Sequence, residues 1–225
     1  MANIREQFLR VMRDGDLSEG FPITEFAPYW DLTQQRWEAE GLPKGLSYPQ
    51  ALDYFGLAYR PFVWKPAFTA KTRELANLPE DWRWELPMIR TTEEDYARVL
   101  PGLFPTELHP TEIQAMEAEA ERQAKGEVWI LLYIDGPFWF PRMLLGVEPH
   151  LMAFCEQPAL MKRMINDLTE YNLAILEKIC EIYTPDTVVF AEDLAYRHGS
   201  MISRDMFEEF LSPHYKRVVP FLVAR

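Results

Sequence analysis

Val128-Trp129-Ile130-Leu131-Leu132-Tyr133-Ile134 is an unbroken apolar run that stops at Asp135-Gly136-Pro137. A strand with one face in water alternates apolar and polar residues. A run without alternation therefore belongs to a strand covered on both faces, as in a parallel sheet flanked by helices. A second run, Val188-Val189-Phe190, stops at the adjacent acids Glu192 and Asp193. Between the two, Pro158 opens a helical pattern to about residue 182, with Leu160, Met164, Leu168, Leu173 and Leu176 on its apolar face. Strand, helix and strand at this spacing make a βα unit, so the fold class is α/β. Acids at the C-terminal ends of such strands occupy the place where parallel α/β folds keep their chemistry.

Composition narrows the function classes. With 225 residues, 48% of them hydrophobic and 14% aromatic, the chain can bury a substantial core as a single domain over 1–225, and disorder is excluded. The net charge of −12, with no Lys/Arg stripe, excludes nucleic acid as a partner and an anionic membrane surface as a docking site. No apolar core follows the charged N-terminal helix at 3–13, as a secretion signal would require, and no segment has the length of a membrane span. Cys155 and Cys180 fall in apolar helical contexts and read as buried thiols. A cytoplasmic location follows as the expectation.

The first half is less regular. Phe21-Pro22-Ile23-Thr24-Glu25-Phe26 reads as a first strand, with Glu25, Tyr29 and Trp30 at its C-terminal end. Helices are expected over 31–40, closed by Gly41, and over 47–57. Residues 58–110 are rich in Pro and Trp and read as a lid or an excursion from the sheet. Short extended pieces are expected there at Phe62-Val63-Trp64 and Trp82-Arg83-Trp84-Glu85-Leu86. Thr111 is the expected cap of a helix that Gly126 ends. Ser203 caps the last helix, which pauses near Pro213. The chain stops at Phe221-Leu222-Val223-Ala224-Arg225, where another strand would be due, and reads as truncated before the last strands.

The segments GPFWFPRMLLG (136–146), QPALMKRMINDLTEYNLAILEKI (157–179) and EDLAYRHGSMISRDMFEEFLSPHYKRVVPFL (192–222) together resemble the uroporphyrinogen decarboxylase superfamily, best over 128–222. The resemblance implies an eight-stranded βα barrel of the TIM type. It also implies an enzyme, nominally a carboxy-lyase on a porphyrinogen-like multi-carboxylate substrate. Two alternatives stand beside it: a corrinoid-dependent methyltransferase with a corrinoid protein as partner, and a non-catalytic fragment or tetrapyrrole-binding partner. In the decarboxylase an Arg-rich loop follows the first strand, whereas here Glu25 to Trp30 contains no arginine. The methyltransferase branch binds zinc through a His-x-Cys pair and a later Cys. Neither cysteine here sits in that motif, so no metal or cofactor is identifiable, and zinc or corrinoid would need ligands from a longer chain.

The candidate catalytic residues are Glu192, Asp193 and His198: acids for binding a cation or moving a proton, and an imidazole for proton transfer near neutral pH. The candidate substrate contacts are Glu25, Tyr29, Phe138, Arg142 and Tyr196. Phe138 would serve as an apolar floor, and Arg142 would meet a ligand carboxylate or else pair with Glu148. Asp135 reads as a turn residue before Gly136-Pro137.

Overall fold

A computed structural model describes residues 3–25, 29–83 and 86–225. The elements in order are α1 (Ile4–Asp14), α2 (Asp31–Glu40), α3 (Tyr48–Tyr54), β1 (Phe62–Lys65), α4 (Ala70–Leu75), α5 (Glu93–Val99) and α6 (Pro110–Ala124). They continue with β2 (Leu131–Asp135), α7 (Trp139–Leu145), α8 (Val147–Glu156), α9 (Pro158–Cys180), β3 (Thr187–Ala191), β4 (Ala195–Tyr196) and β5 (Gly199–Ser200). The chain closes with α10 (Arg204–Met206), a π-helical turn over Phe207–Leu211, and α11 (Ser212–Val223). Two compact units divide it. The first holds Met1–Val63, Pro110–Leu132 and Pro185–Thr187; the second holds Trp64–His109, Tyr133–Thr184 and Val188–Arg225.

β1, β2 and β3 form one sheet in that order. The β2–β3 register is parallel: Thr187 N–H donates to Ile130 O at one end, and Gly136 N–H donates to Ala191 O at the other. With helices between the strands, this is the α/β class that the unbroken apolar run requires. Val128, Trp129 and Ile130 are fully buried but precede the strand itself, which starts at Leu131. Residues 21–25 form no strand, and Phe26 lies outside the described residues. Pro22 supplies no N–H for a ladder, which weakens a strand there. The strand beside β2 comes instead from Phe62–Lys65, inside the stretch expected to be a lid. Trp84 and Glu85 of the other expected extended piece also lie outside the described residues.

In the first unit, Phe8 of α1 stacks on Trp129 at 4.7 Å. Asp186 ties three pieces of chain together. Its Oδ2 accepts from Ile130 N–H at 2.9 Å and from Gln123 Nε2 at 2.7 Å, and its Oδ1 pairs with Arg5 Nε at 2.8 Å. Asn3 caps α1 by accepting from Glu6 N–H, and α6 ends at Gly126, whose φ of 74° suits glycine.

In the second unit, α9 buries a stripe at helical spacing that includes Leu160, Met164, Leu168, Ile175, Leu176 and Ile179. Leu173, expected on that stripe, is only half-buried. The spacing places Asn172 there instead, and its amide Nδ2 donates to Asp135 O at 2.9 Å. Residues 64–109 are built into this unit. The N–H groups of Met88 and Ile89 both donate to Leu144 O, at 2.8 and 3.0 Å. The hydroxyls of Thr69 and Thr72 donate to Gly102 O at 2.8 and 2.7 Å. Among the described residues no helix is long and apolar enough to cross a membrane.

The Asp186 carboxylate is almost wholly buried and serves two donors and a guanidinium. Removing it takes this acceptor from all three. Asp186→Ala is expected to cost about 3 kcal/mol of stability, measured by urea denaturation, with Asp186→Asn intermediate because the amide keeps one acceptor.

Candidate functional site

The strand ends converge on Asp135 and Glu192. Asp135, the last residue of β2, is fully buried. Its Oδ1 accepts from Trp64 Nε1 at 3.0 Å and its Oδ2 from Ala67 N–H at 2.8 Å. The carboxylate thus fastens the end of β1 and the turn beyond it to β2. Burial pushes its pKa up to about 6, against those two hydrogen bonds. Asp135 is more than the turn residue expected from Gly136-Pro137.

Glu192 follows β3 by one residue, and its side chain lies across Gly136. A Cβ at Gly136 would stand 2.2 to 2.6 Å from the Glu192 carboxyl atoms, so only glycine admits the acid here. The carboxylate accepts from the N–H groups of Phe138 and Trp139 at the start of α7, both at 2.9 Å, and from the hydroxyl of Tyr215 on α11. Three donors favour the ionised form, but desolvation outweighs them and the nearby Asp135 charge adds to it. The pKa rises to about 7. The Tyr215 hydroxyl is held above its usual range by burial and by Glu192. Glu192 can therefore hold or release a proton near neutral pH, as a general acid or base must, while Tyr215 keeps its own and donates it to the carboxylate.

Asp193 turns the chain away with φ of 49°, a left-handed conformation that aspartate tolerates better than most residues. Its side chain is 64% exposed and pairs with Arg142 Nη2 at 3.2 Å. Arg142 itself is buried, and its guanidinium lies 4.6 Å from the Trp139 ring centre in a cation–π contact. The alternative pairing with Glu148 gives way to this one.

Of the other expected contacts, the Phe138 ring is fully buried against His150 and Phe154, and what it brings to the acid is its N–H. Tyr196 and His198 lie on the exposed β4–β5 hairpin, their rings 5.5 Å apart. Glu25 and Tyr29 belong to the first unit, where the Glu25 carbonyl accepts from Arg60 Nη2 at 3.1 Å and the Tyr29 ring packs edge-on to Trp37. Sequence reasoning missed Tyr215, Trp64 and the role of Gly136. Tyr215 was readable as an aromatic within the ISRDMFEEFLSPHYK pattern. The contacts of Trp64 and Gly136 cross 71 and 56 positions of the chain and leave no local signal.

The last helix reaches Glu192 through an irregularity. Ser203 caps α10 by accepting from Met206 N–H at 3.1 Å, as expected, but Phe207–Leu211 then wind as a π turn before α11. Beside Tyr215, His214 is buried, with Nδ1 2.8 Å from Thr169 Oγ1, and burial lowers its pKa to about 4.

Because the folded-state pKa of Glu192 is raised from 4.5 to about 7, the native state binds this proton more tightly than the unfolded chain does. Its contribution is fully present below pH 4.5 and is lost as pH rises through 7. His150 and His214, buried and neutral with pKa values lowered to about 3 and 4, act in the opposite sense on the acid side. The difference in stability between the native chain and Glu192→Gln isolates the acid. That difference is expected to shift against the native chain by on the order of 2 kcal/mol between pH 4.5 and 7. Thermal melts across this range check it. Tyr215→Phe, which removes a donor to the carboxylate, is expected to move the transition to higher pH.

No protein-family model matches the chain, and no curated protein matches its sequence. Among solved structures, a methyltransferase from Methanosarcina mazei is similar, with a TM-score of 0.54 and 14% sequence identity. The likeness covers 96% of this chain and 66% of that one, so the chain spans just under two thirds of that protein's length. At this identity the likeness is one of fold, and the chain is thus an α/β protein similar in architecture to a methyltransferase.

Proposed function

We propose that the chain is part of a methyl-transferring enzyme of the uroporphyrinogen decarboxylase superfamily, built on a TIM-type βα barrel, with Glu192 as its proton-holding group. The observation that carries this reading is the carboxyl-lined strand end. Asp135, Glu192 and Asp193 stand there together, and the Arg142 guanidinium is already paired to Asp193. Such a site opposes a substrate bearing many carboxylates, which is what the decarboxylase reading would need. It suits a neutral small molecule whose leaving heteroatom takes up a proton. The fold likeness to a methyltransferase supports the same branch.

In this reading protonated Glu192 gives its proton to the oxygen or nitrogen left behind when a methyl group departs. Tyr215 and the N–H groups of Phe138 and Trp139 then hold the carboxylate that forms. Arg142 with Asp193, and the hairpin bearing Tyr196 and His198, would face the substrate. A corrinoid supplies the methyl-accepting metal in the family's methyltransferases and would come on a partner protein. Among the described residues no group of three or more His, Cys, Asp or Glu side chains is placed to hold a metal, and zinc in this reading would need ligands from a longer chain. Cys155 is exposed rather than buried.

The test is to mix the chain with chemically reduced cobalamin and a panel of small methyl ethers and methylamines, following methylcobalamin by its visible spectrum. A parallel sample with uroporphyrinogen is followed for released CO2. Methylcobalamin is expected to form, with Glu192→Gln at least about tenfold slower in kcat and KM little changed. CO2 release from uroporphyrinogen would overturn the reading in favour of the carboxy-lyase. Silence in both assays would favour the non-catalytic alternative.

A further inference from the structure

A second candidate site lies in the first unit and does not rest on the function proposed above. Phe55, at the C-terminal end of α3, stands edge-on to two rings: Trp37 of α2 at 5.4 Å and 73°, and Tyr54 at 5.4 Å and 85°. One ring near-perpendicular to two others makes a corner rather than a stack. The three rings, with Glu40, Gly41 and Leu42, line a cavity of about 250 Å³. Tyr29 braces the corner from a fourth direction, edge-on to Trp37 at 4.8 Å and to Phe55 at 6.2 Å.

Two features separate this corner from ordinary core packing. Tyr54 and Phe55 are 55% and 42% exposed, whereas a satellite core would cover such rings. A carboxylate also joins the lining: Glu40 follows Trp37 by three residues on α2 and so shares its helix face. Ring faces and a carboxylate attract positive charge. The kind of cation follows from hydration. A primary ammonium or a guanidinium would give up N–H bonds to water for walls that accept few of them, while a quaternary methylated ammonium has no N–H to lose and an apolar surface to bury. We propose that this aromatic corner binds a methylated quaternary ammonium group. The cavity exceeds the size of such a group and leaves room for its stem. Arg36 pairs with Glu40 at 2.9 Å, so the ligand competes with an internal cation for the carboxylate.

The experiment is an NMR titration of choline with the full chain, read from broadening of the N-methyl signal. The uncharged isostere 3,3-dimethylbutan-1-ol serves as control. Choline is expected to bind in the range of about 1 mM, with the isostere roughly tenfold weaker. Tyr54→Leu and Glu40→Gln change exposed side chains and should leave the fold intact. Each is expected to weaken choline by about three- to tenfold, while Phe55→Tyr keeps binding and Arg36→Gln tightens it. A trimethyllysine peptide distinguishes the sources: binding equal to that of choline places the group on a protein, and failure places it on a free solute. Equal binding of choline and the isostere would overturn the proposal, leaving only an apolar cleft. So would choline binding that ignores both Tyr54→Leu and Glu40→Gln, or no broadening at all.

Discussion

The pair of adjacent residues Asp135 and Gly136 is what the second unit depends on. One supplies a buried carboxylate, the other an absence of side chain. Asp135 holds Trp64 and Ala67 through its carboxylate and Asn172 through its carbonyl, which links β2 both to the neighbouring strand and to the long helix α9. Gly136 continues the ladder to Ala191 and leaves room for the Glu192 carboxyl group. A buried acid is costly unless its oxygens are served. Asp135 meets that condition with donors fixed in the backbone and in an indole. The strand end is therefore set before the chemistry of Glu192 enters.

Around that centre the charges are graded. Asp135 is enclosed and fully used, Glu192 is half-buried and titrates near neutrality, and Asp193 reaches solvent with Arg142 as its partner. Two neighbouring residues after β3 point to different environments because Asp193 adopts a left-handed backbone. The arrangement separates a proton-holding acid from a surface ion pair within one dipeptide. The Arg142–Trp139 contact adds a rigid apolar side to the pair, since a guanidinium stacked on an indole loses little of its charge and much of its freedom.

Much of this was legible in the chain itself. The unbroken run before Asp135, the run before Glu192 and the helical stripe between them carried the α/β class, because periodicity and length report burial directly. Helix ends at Gly41, Gly126 and Ser203 followed from caps, whereas Thr111, expected to cap α6, lies within that helix, which starts at Pro110. The strand at Phe62–Lys65 was seen only as a short extended piece, since four residues carry little periodic signal and its partner lies some 70 positions away. Residues 21–25 showed the reverse error: aromatic and β-branched content resembled a strand, and Pro22 was given too little weight. At the site, Glu192 and Arg142 were visible as charges at a strand end and on the following helix, whereas the hydroxyl that holds Glu192 depends on how a later helix winds.

That winding has an evolutionary consequence. One extra residue in a helix turns everything beyond it by about 100°. The π turn at Phe207–Leu211 lies between the cap at Ser203 and Tyr215, so it fixes the direction in which the tyrosine points. If all five residues wound as a regular helix, Tyr215 would turn by about 100° away from Glu192, whereas loss of one codon among them would restore regular winding and keep the direction of the tyrosine. A chain one residue shorter at this turn would thus still present the tyrosine to the acid, so a gap at Phe207–Leu211 in a comparison of sequences does not by itself mark loss of the site.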